Sequence, residues 1–243
     1  MDYHGVNITP PLYPNDVVTL VEAINNQANN LESLFSISPA LAELNRERYA
    51  QWDNAATTPA AWSYRGETFL GLSIQSLTPD QQAYAQSHIF ILSGLYGLLR
   101  PQDGIKPYRL EMRTRLVTDT AANLYDYWGG RLADMIASNE DDYILNCASA
   151  EYAKAIMPHT SLPVITPKFL HNGRSKMAFA KYSRGLLARW CAINQPRSIK
   201  DLQKFNLEGY IYDEVLSTPN EPVYIAPKNF TIAGRFKKKV QQA

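Results

Sequence analysis

Apolar residues recur at three- and four-residue spacing in three stretches of the chain, and this pattern predicts amphipathic helices. The first stretch covers residues 16–35. The second begins at Ser38-Pro39, a favourable N-cap and first-turn pair, and runs to about Tyr49. The third covers residues 178–194 and has an apolar stripe made of Phe179, Tyr182, Leu186, Trp190 and Ile193. We interpret all three as packing helices.

Shorter patterns predict the elements between these helices. Thr78-Pro79-Asp80-Gln81 combines an N-cap, a first-turn proline and a third-position glutamine, so a helix is predicted from there to His88. Residues 89–92 are apolar and suit either a buried strand or the last turn of that helix. A strand is predicted at Tyr143–Asn146, followed by a helix capped by Ser149.

Charged and apolar residues alternate from Tyr108 to Leu116, which predicts a strand. Arg109, Glu111, Arg113 and Arg115 would share one face of it. Glu111 lies one same-face step from Arg109 and from Arg113, so its carboxylate can hold both of their guanidinium groups in place. Such a face either binds an anion or is an ordinary solvent-exposed face of a sheet.

A Gly-x-x-Gly loop, Gly94-Leu95-Tyr96-Gly97, separates the apolar run from Arg100-Pro101. Two glycines permit positive φ and a close approach of the backbone, and the amides of a turn can face an anion. With helical flanks the loop would resemble a helix-hairpin-helix, which grips DNA phosphates. After a strand it would lie where α/β folds place ligands. An ordinary connection is the third interpretation.

Composition predicts one large domain, because 45% of the 243 residues are hydrophobic and no Pro/Gly/Ser-rich linker divides them. We place this domain at residues 1–225 and a basic tail at 226–243. The chain has no apolar run of about eighteen residues and no secretory signal pattern, so we expect a cytoplasmic protein without a membrane partner. Cys147 and Cys191 form no Cys-x-x-Cys motif and the histidines are scattered, so we expect no metal or other cofactor.

Charge is distributed unevenly along the sequence. Residues 168–243 contain fourteen Lys and Arg against five Asp and Glu, whereas residues 1–167 contain ten against eighteen. A concentrated basic region is typical of proteins that bind nucleic acid or phosphate, although it can also be a solvated face. Lys237–Lys239 would add a non-specific attraction to phosphate.

Six segments, in this order, together resemble the YaaA family of bacterial peroxide-stress proteins: LSGLYGLLRP, KPYRLEMRTRL, LYDYWGG, NCASAEYAKAI, KYSRGLLARW and FNLEGYIYDE. The resemblance runs from about Asp2 to Ile225. It implies an α+β protein with the single-domain mixed α/β architecture called the cantaloupe fold. It further implies a basic cleft, a helix-hairpin-helix-like element that binds double-stranded and branched DNA, and a role in limiting free intracellular iron.

The start of the chain departs from the family pattern. Family members usually open with a short apolar strand and a Ser-Pro-Ala-Lys segment directly before the Asp-Tyr that is Asp2-Tyr3 here. We therefore expect that the chain lacks one strand of the family's sheet and one lysine of its cleft.

The sequence thus predicts a monomeric DNA-binding protein of the oxidative stress response. Its phosphate ligands would be backbone amides of the Gly-x-x-Gly loop and a set of cationic side chains: Gly94, Leu95, Gly97, Arg100, Arg109, Arg113, Lys181 and Arg184. The alternative is an enzyme that acts on a nucleobase or nucleotide, with Glu111, Glu151 or Glu208 as the acid or base. Direct iron sequestration is a third hypothesis, which the absence of a ligand cluster in the sequence disfavours.

Overall fold

Helices and short strands are mixed along residues 3, 5–139 and 141–232, which the computed structural model describes. The α-helices are α1 Pro14–Asn25, α2 Leu31–Phe35, α3 Pro39–Ala50, α4 Ala60–Ser63, α5 Glu67–Leu72, α6 Pro79–His88, α7 Leu124–Trp128, α8 Arg131–Ala137, α9 Ala150–Ala153 and α10 Met177–Asn194. The strands are β1 Thr58–Pro59, β2 Ile91–Ser93, β3 Gly97–Leu99, β4 Gly104–Ile105, β5 Ile144–Leu145, β6 Val164–Ile165, β7 Lys168–Leu170, β8 Ile211–Thr218 and β9 Glu221–Ile225. The predicted α+β class is confirmed.

Backbone contacts divide the chain into two compact units, and the chain passes between them more than once. Unit 1 consists of residues 1–64, 85–141 and 148–162, and unit 2 of residues 65–84, 142–147 and 163–243. The predicted boundary between a domain at 1–225 and a tail at 226–243 stays a prediction, because residues 233–243, including Lys237–Lys239, lie outside the described residues.

Unit 1 contains α1, α3 and two small antiparallel strand pairs, one of which is the hairpin of β2 and β3. In this hairpin Ile91 pairs with Leu99 and Ser93 with Gly97, so the Gly-x-x-Gly loop is its turn. The second pair joins β1 to β4. The hairpin is buried: Leu95, Leu98 and Leu99 are fully covered. It forms part of the core that supports the chain after β4.

Unit 2 is built on α10, which crosses the short helix α5 at glycines. A Cβ atom on Gly185 would lie 1.9 Å from the carbonyl oxygen of Thr68, and one on Gly71 would lie 2.2 Å from that of Tyr182. Only residues without side chains allow two backbones to approach so closely. Beside α10 lies a sheet of order β7-β9-β8 over an aromatic core that includes Phe169, Tyr182, Trp190, Phe205, Tyr210 and Tyr224.

Most of the predicted helices are confirmed where the sequence carries local start signals. At the start of α6, the Thr78 amide donates to Gln81 Oε1 at 3.0 Å and the Gln81 amide to Thr78 Oγ1 at 3.4 Å. This is the reciprocal cap that the sequence predicts, and the helix ends at His88 as expected. The α3 and α10 predictions are also confirmed.

Two predictions of regular structure are wrong. Residues 16–35 do not form one helix, because α1 ends at Asn25 and α2 begins only at Leu31; the intervening Asn-rich stretch competes with helical hydrogen bonding. Residues 108–116 are not a strand, although their alternation of buried and exposed side chains holds. A turn closes there, with the Thr114 amide donating to the Glu111 carbonyl oxygen at 3.0 Å.

The choice between strand and helix at residues 89–92 is settled by β2, which starts at Ile91. The Gly-x-x-Gly segment therefore joins two strands, with Gly97 as the first residue of β3, and is not a helix-hairpin-helix. Within the described part of the chain, no helix is both long and apolar enough to cross a lipid bilayer.

Candidate functional site

An ion-pair ladder, made of Arg109, Glu111, Arg113 and Glu151, lies on the surface of unit 1. Glu111 is its centre: Oε1 accepts from Arg109 Nη2 and Oε2 from Arg113 Nε, each at 3.0 Å. Glu151 extends the ladder, because its Oε1 accepts from the Arg113 amide at 3.2 Å and its Oε2 lies 3.8 Å from Arg113 Nε. The prediction that Glu111 holds both guanidinium groups is confirmed.

The ladder has no excess of positive charge, since two carboxylates balance two guanidinium groups. Its side chains differ in exposure: Arg113 is 72% exposed, Arg109 39%, Glu111 35% and Glu151 23%. The hydrogen bond and the charge of Glu111 raise the pKa of Arg113 above its ordinary value. Such an arrangement fixes the orientation of donors and acceptors rather than creating a simple anion site.

The amides of the Gly-x-x-Gly turn are engaged inside the protein. Leu95 N and Tyr96 N donate to Ser93 Oγ at 3.2 and 3.0 Å, and the whole turn is buried. Gly97 has the expected positive φ of 67°, but Gly94 is needed for a different reason. A Cβ atom there would lie 2.6 Å from the Leu110 carbonyl oxygen. Phosphate binding by this turn stays a prediction, which this geometry does not favour.

A phenol cluster, made of Ser93, Tyr64, Tyr108 and Tyr152, lies in the same unit. The Tyr108 hydroxyl is 2.6 Å from Ser93 Oγ and 2.6 Å from the Tyr64 hydroxyl. Two amides already occupy the lone pairs of Ser93 Oγ, so Ser93 donates to Tyr108 and Tyr108 donates to Tyr64. Burial raises the pKa of both tyrosines, so the hydroxyls keep their protons at neutral pH.

Tyr152 connects the phenol cluster to the ladder. It directly follows Glu151 in α9, and Glu151 Oε1 accepts from the Arg113 amide. Burial, followed by the charges of Glu151 and Glu111, raises the pKa of Tyr152 to about 12. Tyr152 also contributes to the raised pKa of the Tyr64 and Tyr108 hydroxyls. Phenol donors and carboxylate acceptors therefore occur side by side in unit 1.

Arg100 has a structural partner in unit 1. Its Nε donates to Asp103 Oδ1 at 3.1 Å, and its backbone amide donates to Asp103 Oδ2 at 2.8 Å. Asp103 is fully buried and also accepts from Thr9 Oγ1 at 2.7 Å. A buried carboxylate needs such partners, so this guanidinium stabilises the loop after β3.

The remaining predicted site residues belong to unit 2. Lys181 and Arg184 are half-buried on α10, three residues apart. Glu208 is exposed and has a positive φ of 54°, and its Oε1 accepts from the Tyr182 hydroxyl at 2.6 Å. The predicted residues thus form two groups, one on each unit.

The cysteines are free, and burial raises the pKa of the Cys147 thiol to about 12, which disfavours a thiolate nucleophile at neutral pH. Among the described residues, no three His, Cys, Asp or Glu side chains gather in a way that could hold a metal ion.

Sequence reasoning missed the phenol cluster. Tyr64, Ser93, Tyr108 and Tyr152 come from four separate segments, so no local spacing connects them. One weak signal was present: Ser93 directly precedes the Gly-x-x-Gly turn, where a hydroxyl can accept from amides two and three residues ahead.

Comparison with known proteins gives a consistent result. The family model of the peroxide stress protein YaaA matches residues 2–216. A UPF0246 protein of Roseobacter denitrificans is 41% identical over 238 residues, covering 91% of this chain and 92% of that protein. A UPF0246 protein of Shewanella sp. strain ANA-3 is 40% identical over 235 residues, covering 90% and 85%. The chain therefore belongs to the family of the peroxide stress protein YaaA.

Proposed function

We propose that this protein binds double-stranded and branched DNA in the cytoplasm during peroxide stress and so limits iron-dependent oxidative damage to DNA. The observation that supports this proposal is the charge of unit 2. Its described residues include eleven Lys and Arg against eight Asp and Glu, whereas those of unit 1 include nine against thirteen. An excess of cations on one compact unit attracts a polyanion without reading its sequence.

Lys181 and Arg184 are the cations of unit 2 best suited to hold a phosphate at a fixed position. Residues three apart on a helix share a face, and the partial burial of both side chains restricts their rotamers. Exposed lysines such as Lys200 and Lys228 instead contribute a diffuse attraction. The two kinds of cation should therefore contribute differently to the affinity for DNA. Their contributions to the salt dependence of DNA binding should be similar.

Fluorescence anisotropy over a salt series tests this, with linear and branched duplexes. Replacing Lys181 and Arg184 by alanine should weaken binding about tenfold more than replacing Lys200 and Lys228, because charge-assisted hydrogen bonds are lost in addition to two charges. Both double variants should flatten the salt slope equally. Circular dichroism checks that both are folded. No binding at low salt, or a response independent of salt, would refute DNA binding.

The proposed effect on iron damage acts through DNA and not through storage. Elemental analysis after anaerobic reconstitution should then find less than one iron per chain. One tightly held iron per chain would refute this part of the proposal.

A second candidate function is an enzyme that acts on a nucleobase or nucleotide at the ladder and phenol cluster of unit 1. The observation that favours it is that the Tyr152 phenol lies near the carboxylates of Glu151 and Glu111, whose charges help to raise its pKa. Phenols and carboxylates supply and accept protons in catalysis. Incubation of the protein with a panel of nucleotides, followed by chromatography of the products, tests for turnover. Replacing Glu111 by Gln should abolish any turnover found.

A further inference from the structure

One exposed turn of unit 2 places an asparagine directly before a glycine. His171 and Arg174 close this turn through two backbone hydrogen bonds, of 2.8 and 3.2 Å, and Asn172 and Gly173 form its corner with positive φ angles of 52° and 74°. Both corner residues are exposed, and a Cβ atom on Gly173 would meet no atom within 4 Å. Water and hydroxide therefore reach the peptide bond between them.

The polar groups at this corner have no competing partners. In the described part of the chain, neither the Asn172 side chain nor the Gly173 amide forms a hydrogen bond. The bridge between His171 and Arg174 is isolated, so only its two hydrogen bonds must break before the corner can change its backbone conformation. The turn thus combines a carboxamide with an unengaged amide on the next residue.

This combination undergoes deamidation without an enzyme. Hydroxide removes the Gly173 amide proton, and the nitrogen attacks Cγ of Asn172. A C–N bond forms, the bond from Cγ to Nδ2 breaks, and ammonia leaves with a proton from water, which regenerates hydroxide. Water then opens the resulting succinimide at either ring carbonyl to give aspartate or isoaspartate. The net reaction releases the side-chain nitrogen as ammonia and replaces it with the oxygen of water.

No other asparagine of this sequence precedes a glycine. A side chain on the following residue hinders the attack, and glycine also permits the widest range of backbone angles. Asn220 is the best comparison, since it is also an exposed turn residue of unit 2. There the next amide, that of Glu221, donates to Thr218 Oγ1 at 3.2 Å and is therefore engaged. The reaction should be faster at Asn172 than at Asn220.

We propose that Asn172 is a site of spontaneous deamidation, and that its isoaspartate product loosens the connection between β7 and α10. In isoaspartate the main chain runs through the former side-chain carbon and is longer by one methylene group, so the two hydrogen bonds between His171 and Arg174 are not both retained. The His171 ring centroid lies 4.6 Å from that of Phe179 in α10, and its Nε2 lies 2.6 Å from the Tyr210 hydroxyl. A displaced turn therefore disturbs the aromatic core of unit 2.

Ageing of the full chain at mildly alkaline pH, followed by trypsin digestion and mass spectrometry, tests the proposal. Cleavage after Lys168 and Arg174 yields the peptide of residues 169–174, whose asparagine, aspartate and isoaspartate forms are separated by chromatography. The two products should accumulate in proportion to the hydroxide concentration. Their rate of formation should exceed that at Asn220 by at least about fivefold, the factor for breaking one hydrogen bond. An equal or lower rate at Asn172 would overturn the assignment.

A synthetic peptide of residues 169–174 gives the rate in the absence of the folded turn. The full chain should react about thirtyfold more slowly than this peptide, because two hydrogen bonds must open first. If the peptide deamidates while the full chain does not, the turn protects Asn172 and the proposal is wrong.

The variant Asn172→Asp separates the new charge from the longer main chain, because it carries the same carboxylate on a backbone of normal length. Its thermal midpoint should equal that of the parent before ageing. The aged parent, a mixture of both products, should unfold in two transitions, one at this midpoint and one at a lower temperature. Asn172→Gln, aged in parallel, should keep a single transition. A single transition in the fully deamidated parent, at the midpoint of Asn172→Asp, would refute the effect of isoaspartate on the connection.

Discussion

The two units of this protein use charged and aromatic side chains in opposite ways. In unit 1, where Asp and Glu outnumber Lys and Arg, the arginines of the ladder are each paired with a carboxylate, and tyrosine hydroxyls are linked to one another. In unit 2 cations are in excess, and the aromatic rings pack as a core around Phe169 and Tyr210. Electrostatic attraction and hydrogen-bond geometry are thus supplied by different parts of the chain.

This difference distinguishes cations that orient a ligand from cations that attract one. A count of charges along the sequence does not distinguish them. Arg109 and Lys181 were predicted to hold the same phosphates, yet Arg109 belongs to the acidic unit and is paired with Glu111, while Lys181 belongs to the basic unit. A paired guanidinium orients a ligand, whereas an excess cation attracts one from a distance. The two groups of residues should therefore respond differently to substitution.

The largest effect is expected in unit 2, at the contact between α5 and α10. Replacing Gly185 by Ala would place Cβ 1.9 Å from the Thr68 carbonyl oxygen, so one helix must move. We expect the free energy of unfolding, measured with urea, to fall by about 3 kcal/mol. Gly66, also in unit 2, is the control because a Cβ there meets no atom within 4 Å, and Gly66→Ala should cost about 1 kcal/mol or less. Equal stability of the two variants would refute so close a contact.

The corresponding position in unit 1 is Gly94, where a Cβ atom would lie 2.6 Å from the Leu110 carbonyl oxygen. Because that backbone leads directly into Arg109 and Glu111, Gly94→Ala should lower the free energy of unfolding by about 2 kcal/mol and also displace the ladder. Gly130→Ala is the control, since its nearest neighbour lies at 3.8 Å. Urea unfolding and nucleotide binding are measured together. A destabilised variant with unchanged nucleotide binding would show that the turn supports the core and not the site.

The fold could be predicted from sequence where its cause is local. The cap at Thr78 and Gln81 involves residues three apart, and the apolar stripe of α10 lies within one helix, so both were visible in the pattern. The ladder was partly predictable for the same reason, since Glu111 lies two residues from each arginine. The contribution of Glu151, thirty-eight residues after Arg113, was not.

The phenol cluster could not be predicted because its members meet only after folding: the Tyr64 and Tyr108 hydroxyls join residues forty-four positions apart. The turn at His171-Asn172-Gly173-Arg174 was also not predicted, although its signal is local. Asn172 and Gly173 both have positive φ, 52° and 74°, and His171 and Arg174 exchange backbone hydrogen bonds. Asn-Gly is the strongest short signal of a hairpin turn, so this turn could have been predicted from the local sequence.

The buried His171 of unit 2 predicts a dependence of stability on pH. Its Nε2 is 2.6 Å from the Tyr210 hydroxyl, and burial, followed by the charge of Lys176, lowers its pKa from the ordinary 6.5. As pH falls through 6.5 the unfolded chain binds this proton first. The contribution of His171 to stability is therefore fully present above pH 6.5 and decreases as the pH falls below it. The decrease ends once the pH is below the lowered pKa of His171 in the folded protein.

Urea unfolding at about pH 5 and pH 7.5 measures this effect. The control is His171→Asn, which removes the titrating group; its loss of stability between the two pH values should be smaller than that of the parent. An identical loss in both proteins would mean that other groups account for the acid sensitivity.

The smallest effect on stability is expected at Arg113, the most exposed member of the ladder. Ion pairs of exposed side chains contribute little to folding, because water screens them and the side chains lose entropy. Arg113→Ala should therefore leave the urea midpoint unchanged within experimental error. Arg100→Ala is the contrasting variant: it removes the main cationic partner of the fully buried Asp103 and should cost about 2 kcal/mol. Both arginines were predicted to bind phosphate. Of the two substitutions, however, only Arg113→Ala should lower the affinity for a nucleotide without lowering the stability of the protein. If Arg113→Ala destabilised the protein as much as Arg100→Ala, the ladder would be a structural element of unit 1. The proposed division of roles, in which unit 1 orients a ligand and unit 2 attracts one, would then be wrong.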